Sequence, residues 1–335
     1  MILLAFLVLA TVGWATLSSS RQSPVNTSIL PTETPPTMAA NSASRDYVYA
    51  GSSLISTSEP FRQPPNDLAV WRPGNGTWYI LNSQQQWVEQ AWGNSSDLPA
   101  EGDYDGDGKT DFAVFRASNS TWYIINSATG AAQYQFFGST GDTPAVGDYD
   151  GDGVSDAALW RSSISTWYVK KSSDGITYQL QFGNTGDTPT PGDYDGDGKT
   201  DYGVWRNSTS TFWVYRSSDN QTMSYSIGAS GDEPVVGDYD GDGKTDYAVR
   251  RGSDNIWRIH YTSDDTDHTY QWGNASDIAV PGRYNDSGDT DAKTDVAVWR
   301  PSTGVWYILR SSDGSWRVTA WGTNGDIPVP ANWER

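Results

Sequence analysis

The sequence predicts an all-β chain, a β-propeller of six four-stranded antiparallel blades. Three observations predict it. A unit of about 45 residues repeats from Asp67 to the C-terminus. Each unit holds short apolar and aromatic runs parted by polar turns, with room for four strands. Segments of the D-x-A-V type start at Asp67, Asp111, Asp156, Asp201, Asp246 and Asp295, which counts six units.

The elements of a unit follow in order. A Pro-containing first strand leads into an acidic loop. A second strand then ends in Arg, as in DFAVFR at Asp111–Arg116. A polar turn precedes a third strand of the T-W-Y-I type. Another turn leads to a fourth strand ending in Trp-Gly or Phe-Gly. The inner strands are apolar on both sides, because both faces of a blade pack on neighbouring blades. Asp326–Trp333 (DIPVPANW) reads as a first strand at the end of the chain, and the unit at Asp67 lacks one. The C-terminal strand is therefore expected to complete the first blade and seal the ring, removing open edges. A seventh blade built partly from Arg45–Arg62 is the alternative.

The acidic loops carry the chemistry. DYDGDGKTD occurs at Asp103–Asp111, Asp193–Asp201 and Asp238–Asp246, and DYDGDGVSD at Asp148–Asp156. Asp falls at positions 1, 3, 5 and 9: Asp103, Asp105, Asp107 and Asp111; Asp148, Asp150, Asp152 and Asp156; Asp193, Asp195, Asp197 and Asp201; Asp238, Asp240, Asp242 and Asp246. Alternate carboxylates on a tight turn converge and repel unless a hard cation sits among them. Calcium suits this donor set, since it takes 6–8 oxygens in flexible geometry. Position 7 can add a backbone carbonyl, from Lys109, Val154, Lys199 and Lys244. About four ions are expected. A fifth, weak site would use Asn285, Asp289 or Asp291, and Asp295 in the sixth unit, where the loop has an insertion. An EF-hand is excluded: it needs Glu at position 12, which is Val114, Leu159, Val204 and Val249 here.

The GDYDGDGKTDYAVW-type segments resemble the FG-GAP/VCBS repeats, calcium-loop β-propeller repeats also found in integrin α subunits. The resemblance covers about Asp67–Trp333. It implies a metal loop between the first and second strands of each blade, and an integrin-like partner face opposite those loops.

The chain has 335 residues, no Cys and a net charge of −19. Taking away the sixteen loop Asp leaves −3, so the acidity belongs to the loops. No basic stripe exists to displace counterions, which argues against nucleic acid. Absence of Cys removes disulfides, zinc-thiolate sites and Cys nucleophiles. Met1–Leu17 reads as an export signal or a retained N-terminal anchor. Ser18–Arg45 reads as a disordered Ser/Thr/Pro-rich linker. Residues 46–66 form an N-terminal segment whose Tyr47–Gly51 looks like an Rhs/YD fragment. Residues 67–335 form the propeller.

Three aromatic registers recur: Trp71, Phe115, Trp160, Trp205 and Trp299; Trp78, Trp122, Trp167, Phe212, Trp257 and Trp306; Trp92, Phe137, Phe182, Trp272 and Trp321. Their repetition points to inter-blade core, with sugar platforms as the alternative. Arg72, Arg116, Arg161, Arg206, Arg251 and Arg300 also recur, as do Asp97, Asp142, Asp187, Asp232, Asp277 and Asp326. A structural Arg–Asp pair at each corner is the first reading, a ligand-facing polar ring the second. The fifth unit is the irregular one: it holds both His, His260 and His268, puts Arg250 in an aromatic register, and crowds Asp264, Asp265 and Asp267 into one turn. No triad, phosphate loop or hydrolase motif is present.

These features read as a secreted or cell-surface calcium-binding module for adhesion to an extracellular protein or glycan, not an enzyme. The alternatives are a multivalent lectin and a polysaccharide-active hydrolase or lyase.

Overall fold

The computed structural model describes residues 47–50, 53–57, 66–284 and 291–333. The leader and linker expectations for residues 1–45 lie outside them, as do Asn285 and Asp289. Among the described residues no helix is long and apolar enough to cross a membrane.

Six four-stranded antiparallel sheets form six blades. Their strands are built from five- and six-residue β-branched and aromatic runs, with a two-residue inner strand in each. Blade 1 is ordered Ile327–Pro328, Leu68–Arg72, Thr77–Leu81, Trp87–Ala91. Blade 2 is Leu98–Pro99, Phe112–Arg116, Thr121–Ile125, Ala132–Phe136. Blades 3 to 6 repeat this order from Thr143, Thr188, Glu233 and Ile278. Ile327 pairs with Trp71 and Pro328 with Val70, so the last strand of the chain completes the first blade. Tyr47–Ala50 and Ser53–Thr57 pair only with each other, as a two-stranded sheet. That removes the seventh-blade alternative: two strands that join no blade cannot make one.

Burial falls from the second strand to the outer one. Leu68, Ala69, Val70 and Trp71 are all buried, because each face of the sheet meets a neighbouring blade. The outer strand Trp87–Ala91 is almost wholly exposed. The first two aromatic registers are buried throughout, and Phe137 and Trp272 of the third are too. The repeated aromatics are thus core. Where the fifth unit puts Arg250 in the first register, that arginine is also buried, with its guanidinium donating to the carbonyls of Asp277 and Asn274.

Backbone hydrogen bonds join neighbouring blades at one end. The residue at loop position 8 donates its N–H to the position-1 carbonyl of the preceding blade. The contacts run Thr110 to Asn332 (2.6 Å), Ser155 to Asp103 (2.6 Å), Thr200 to Asp148, Thr245 to Asp193 and Thr294 to Asp238 (each 2.7 Å), and Asn66 to Arg283 (2.6 Å). All six seams are bridged. The Gly before the loop permits this approach: a Cβ on Gly147 would lie 2.6 Å from Thr200 Oγ1, and one on Gly192 equally close to Thr245 Oγ1.

One residue between the inner strand and the acidic loop of blade 2 stands out. Glu101 is fully buried, and neither carboxylate oxygen has a hydrogen-bond partner. Burial pushes its pKa up to about 8. The same position is Val146 in blade 3 and Val236 in blade 5. The raised pKa favours the fold while the carboxyl is neutral. That contribution is complete below the ordinary value of about 4.3 and drains away as pH rises through 8. Glu101→Val should therefore raise the melting temperature most at pH 8–9 and least near pH 4. Thermal scans across that range check it, and an equal change at every pH would refute the assignment.

Candidate metal centres

Each acidic loop joins the inner and second strands of a blade. Its glycines at positions 4 and 6 take positive φ, 76° at Gly106 and 81° at Gly108, where a Cβ would be strained. The tight turn wraps the first Asp. Asp103 Oδ1 accepts from the Gly106 N–H (2.7 Å) and Oδ2 from the Gly108 N–H (2.8 Å). The position-7 N–H groups of Lys109, Val154, Lys199 and Lys244 donate to the position-5 Asp at 2.8–2.9 Å.

Three carboxylates per loop come together. Oxygens within 4.8 Å of one another are offered by Asp103, Asp105 and Asp107; by Asp148, Asp150 and Asp156; by Asp193, Asp195 and Asp197; and by Asp238, Asp240 and Asp246. These four sets could hold four cations. The fourth loop Asp stands outside each close set: Asp111, Asp152, Asp201 and Asp242.

Position 9 has a second task that the sequence did not disclose. Asp111 Oδ2 accepts from the Tyr104 N–H (2.8 Å), and Oδ1 accepts from the Ser127 N–H in the turn between the third and outer strands. Asp156, Asp201, Asp246 and Asp295 repeat the pair with Tyr149 and Ser172, Tyr194 and Ser217, Tyr239 and Thr262, Tyr284 and Ser311. Even Asp67, in the blade without an acidic loop, accepts from the Trp333 N–H (3.2 Å). The residue is a clasp between the loop and the adjacent turn. In the sixth unit, Asp291 takes the place of a position-5 Asp, accepting from Ser311 Oγ (2.9 Å) as Asp107 accepts from Ser127 Oγ.

The electrostatics favour a cation. Burial pushes Asp103 up to about 6 and Asp111, Asp156, Asp201 and Asp295 up to about 7. Burial followed by neighbouring carboxylates raises Asp238 and Asp246 well above the usual range. Grouped carboxylates that resist ionisation are relieved by a positive ion among them.

At the other end of each blade, the recurring Arg and Asp form the corner pair. Arg72 meets Asp326 in two bonds, Nε to Oδ1 (2.7 Å) and Nη2 to Oδ2 (2.9 Å). Arg116–Asp97, Arg161–Asp142, Arg206–Asp187, Arg251–Asp232 and Arg300–Asp277 do the same. The Asp carboxylates are buried, and each also accepts a backbone N–H three residues earlier, as Asp97 does from Asn94. With both oxygens engaged, the corner reading replaces the ligand-facing ring. The guanidinium stacks on Tyr79, Tyr123, Tyr168, Trp213 and Tyr307 in five blades.

Residues 103–159 and 193–249 match the model of the FG-GAP-like repeat. These two stretches are similar to that repeat. No curated protein sequence matches it. Among solved structures, it is similar to an Agrocybe aegerita lectin described as recognising non-reducing terminal N-acetylglucosamine. The TM-score is 0.53 at 13% identity, covering 82% of this chain and 79% of that one. It is also similar to a streptogramin B lyase (TM-score 0.49, 9% identity, 87% and 99% covered). TolB from Acinetobacter baumannii gives TM-score 0.48 at 14% identity, with 83% and 66% covered. At such identities the likeness concerns the fold.

The clasp can be separated from cation binding. Asp201→Ala leaves two backbone N–H groups without their acceptor and should destabilise by about 2 kcal/mol or more, even in chelator. Asp195→Ala gives up a turn hydroxyl and a bond from the Asp197 N–H that Asp193 also accepts, so it should cost less there. Denaturant unfolding of both variants in chelator reads the difference; equal costs would remove the clasp.

Proposed function

We propose that this FG-GAP-repeat propeller is an exported, calcium-stabilised binding or adhesion module. The observation that carries the proposal is the fourfold gathering of three carboxylates at one loop position. Calcium is the cation this donor set suits: all-oxygen, strongly anionic, on a turn with flexible geometry. Magnesium demands stricter octahedral geometry and retains its waters. Extracellular calcium modules work at about 10⁻⁴–10⁻³ M, a level that an exterior medium supplies. Asp103, Asp148, Asp193 and Asp238, with their position-3 and position-5 or -9 partners, would hold the ions.

The role of calcium here is structural. It would screen carboxylates that burial has raised and fix the loop whose first carbonyl receives the next blade. The repeated aromatics sit in the seams, so a lectin with one aromatic platform per blade loses the residues it would use. Recognition falls instead to the turns at the corner end, which differ from blade to blade: Pro73–Gly76, Ala117–Ser120, Ser162–Ser165, Asn207–Ser210, Gly252–Asn255 and Pro301–Gly304. Variable loops on a rigid scaffold are where binding usually resides. The ligand is an extracellular protein or glycan.

Native mass spectrometry of the calcium-saturated protein should count four ions, or five if Asp291 and Asp295 build a weak site. Two or fewer, or more than five, would contradict the assignment. The partner face is tested on immobilised matrix proteins and glycans. Asn119→Trp, Thr209→Trp and Thr303→Trp, all at exposed turn positions, should abolish capture at unchanged melting temperature. Lys109→Glu, Lys199→Glu and Lys244→Glu should not. The reverse pattern would move the partner to the loop end.

A further inference from the structure

The seam between blades 4 and 5 differs from the other five. Elsewhere the residue after the outer strand and the third residue of the next blade's third strand are both aromatic. The pairs are Trp92 with Tyr123, Phe137 with Tyr168, Phe182 with Trp213, Trp272 with Tyr307, and Trp321 with Tyr79. Three of these add an indole N–H donated to the facing carbonyl: Trp92 to Tyr123 (3.0 Å), Trp272 to Tyr307 (3.0 Å) and Trp321 to Tyr79 (3.1 Å). At the 4–5 seam the same two positions are Ile227 and Arg258. Both rings are missing. Arg258 Nη1 is buried without a hydrogen-bond partner.

Two residues along the same strand, His260 shares the sheet face with Arg258, roughly 7 Å away. His260 is buried and stacks on Tyr225 of blade 4, ring centroids 3.9 Å apart. Its Nδ1 lies 2.9 Å from Asp267 Oδ1 and its Nε2 3.3 Å from Asp265 Oδ1. Tyr225 donates its hydroxyl to the same Asp267 oxygen (3.1 Å). Tyr247, opposite His260 in register and 5.1 Å from the Tyr225 ring, is 2% exposed, and its hydroxyl has no partner. The two carboxylates face solvent: their side chains are 92% exposed at Asp265 and 69% at Asp267.

We propose that the seam between blades 4 and 5 is a single binding site for a hexuronate, a sugar ring bearing one carboxylate. The buried guanidinium edge of Arg258 suits a planar carboxylate, which it can meet with paired N–H donors. Asp265 and Asp267 accept hydroxyl hydrogens and repel an anion that lacks them. The Tyr225 ring supplies an apolar face, and the Tyr247 hydroxyl an unused buried donor. Arg258 and Tyr247 put two unpartnered buried polar atoms on one seam, and a ligand group would satisfy them. The site stands apart from the partner face proposed above and does not rest on it.

The full chain in calcium is titrated calorimetrically with a hexuronate and with the matching neutral hexose. One saturable site per chain is expected for the hexuronate, with at least tenfold weaker binding of the hexose. Converting the seam to its neighbours' pattern, Ile227→Trp with Arg258→Tyr, should abolish binding without lowering the melting temperature. Asp265→Asn, at an exposed position, should weaken binding at unchanged stability and guards against misfolding of the double variant. Equal binding of hexose, unchanged affinity in either variant, or no heat at about 10 mM hexuronate would overturn the proposal.

Discussion

The hydrogen bond from one loop's eighth residue to the preceding loop's first carbonyl is the constraint on which this propeller depends. It recurs at every seam, including the two that flank blade 1, where Asn332 and Arg283 stand in for aspartate. A ring of blades with no such tie would be held by side-chain contacts alone at its loop end. The tie also explains residues that have no chemical role of their own. The Gly before each loop leaves room for the neighbour's Thr or Ser, and that small hydroxyl residue at position 8 fills it. The acidic loop is thus a joint first and a candidate cation site second. An ion that rigidified one loop would act on the carbonyl that holds the next blade.

Each blade is stapled again at its far end by the Arg–Asp corner. This pair is of the strong bidentate kind, with a buried carboxylate whose remaining capacity is spent on a backbone N–H. Removing the Arg would leave a buried charge unpaired, which is more damaging than never having had the pair. The two ends therefore differ in what they can vary. The loop end is fixed by its joints and carboxylates. The corner end is fixed at Arg and Asp, and the turn residues between are free to diverge.

Much of the architecture was legible because a repeat exposes its own period. Six D-x-A-V segments count six blades, and an orphan first strand at Asp326–Trp333 announces closure onto Leu68–Arg72. The strand-like composition of Tyr47–Thr57 was less informative, since a hairpin and part of a blade read alike. The acidic loops declared their carboxylates but not the clasp at position 9, because that role is a bond to backbone N–H groups, which carry no sequence signature. The irregular 4–5 seam was half visible. The irregular fifth unit marked His260 and Arg250, yet Arg258 gains its meaning only opposite Ile227, and that pairing requires the seam.

The central claim is that calcium in the loops holds the ring together. Melting temperature measured against free calcium concentration tests it most directly. At tenfold excess over its Kd, one site contributes about 1.4 kcal/mol, and four contribute several times that, against a total stability of about 5–15 kcal/mol. The account predicts a melting temperature that climbs with calcium by several degrees or more and falls back on chelation. A melting curve unmoved from excess chelator to millimolar calcium would contradict it.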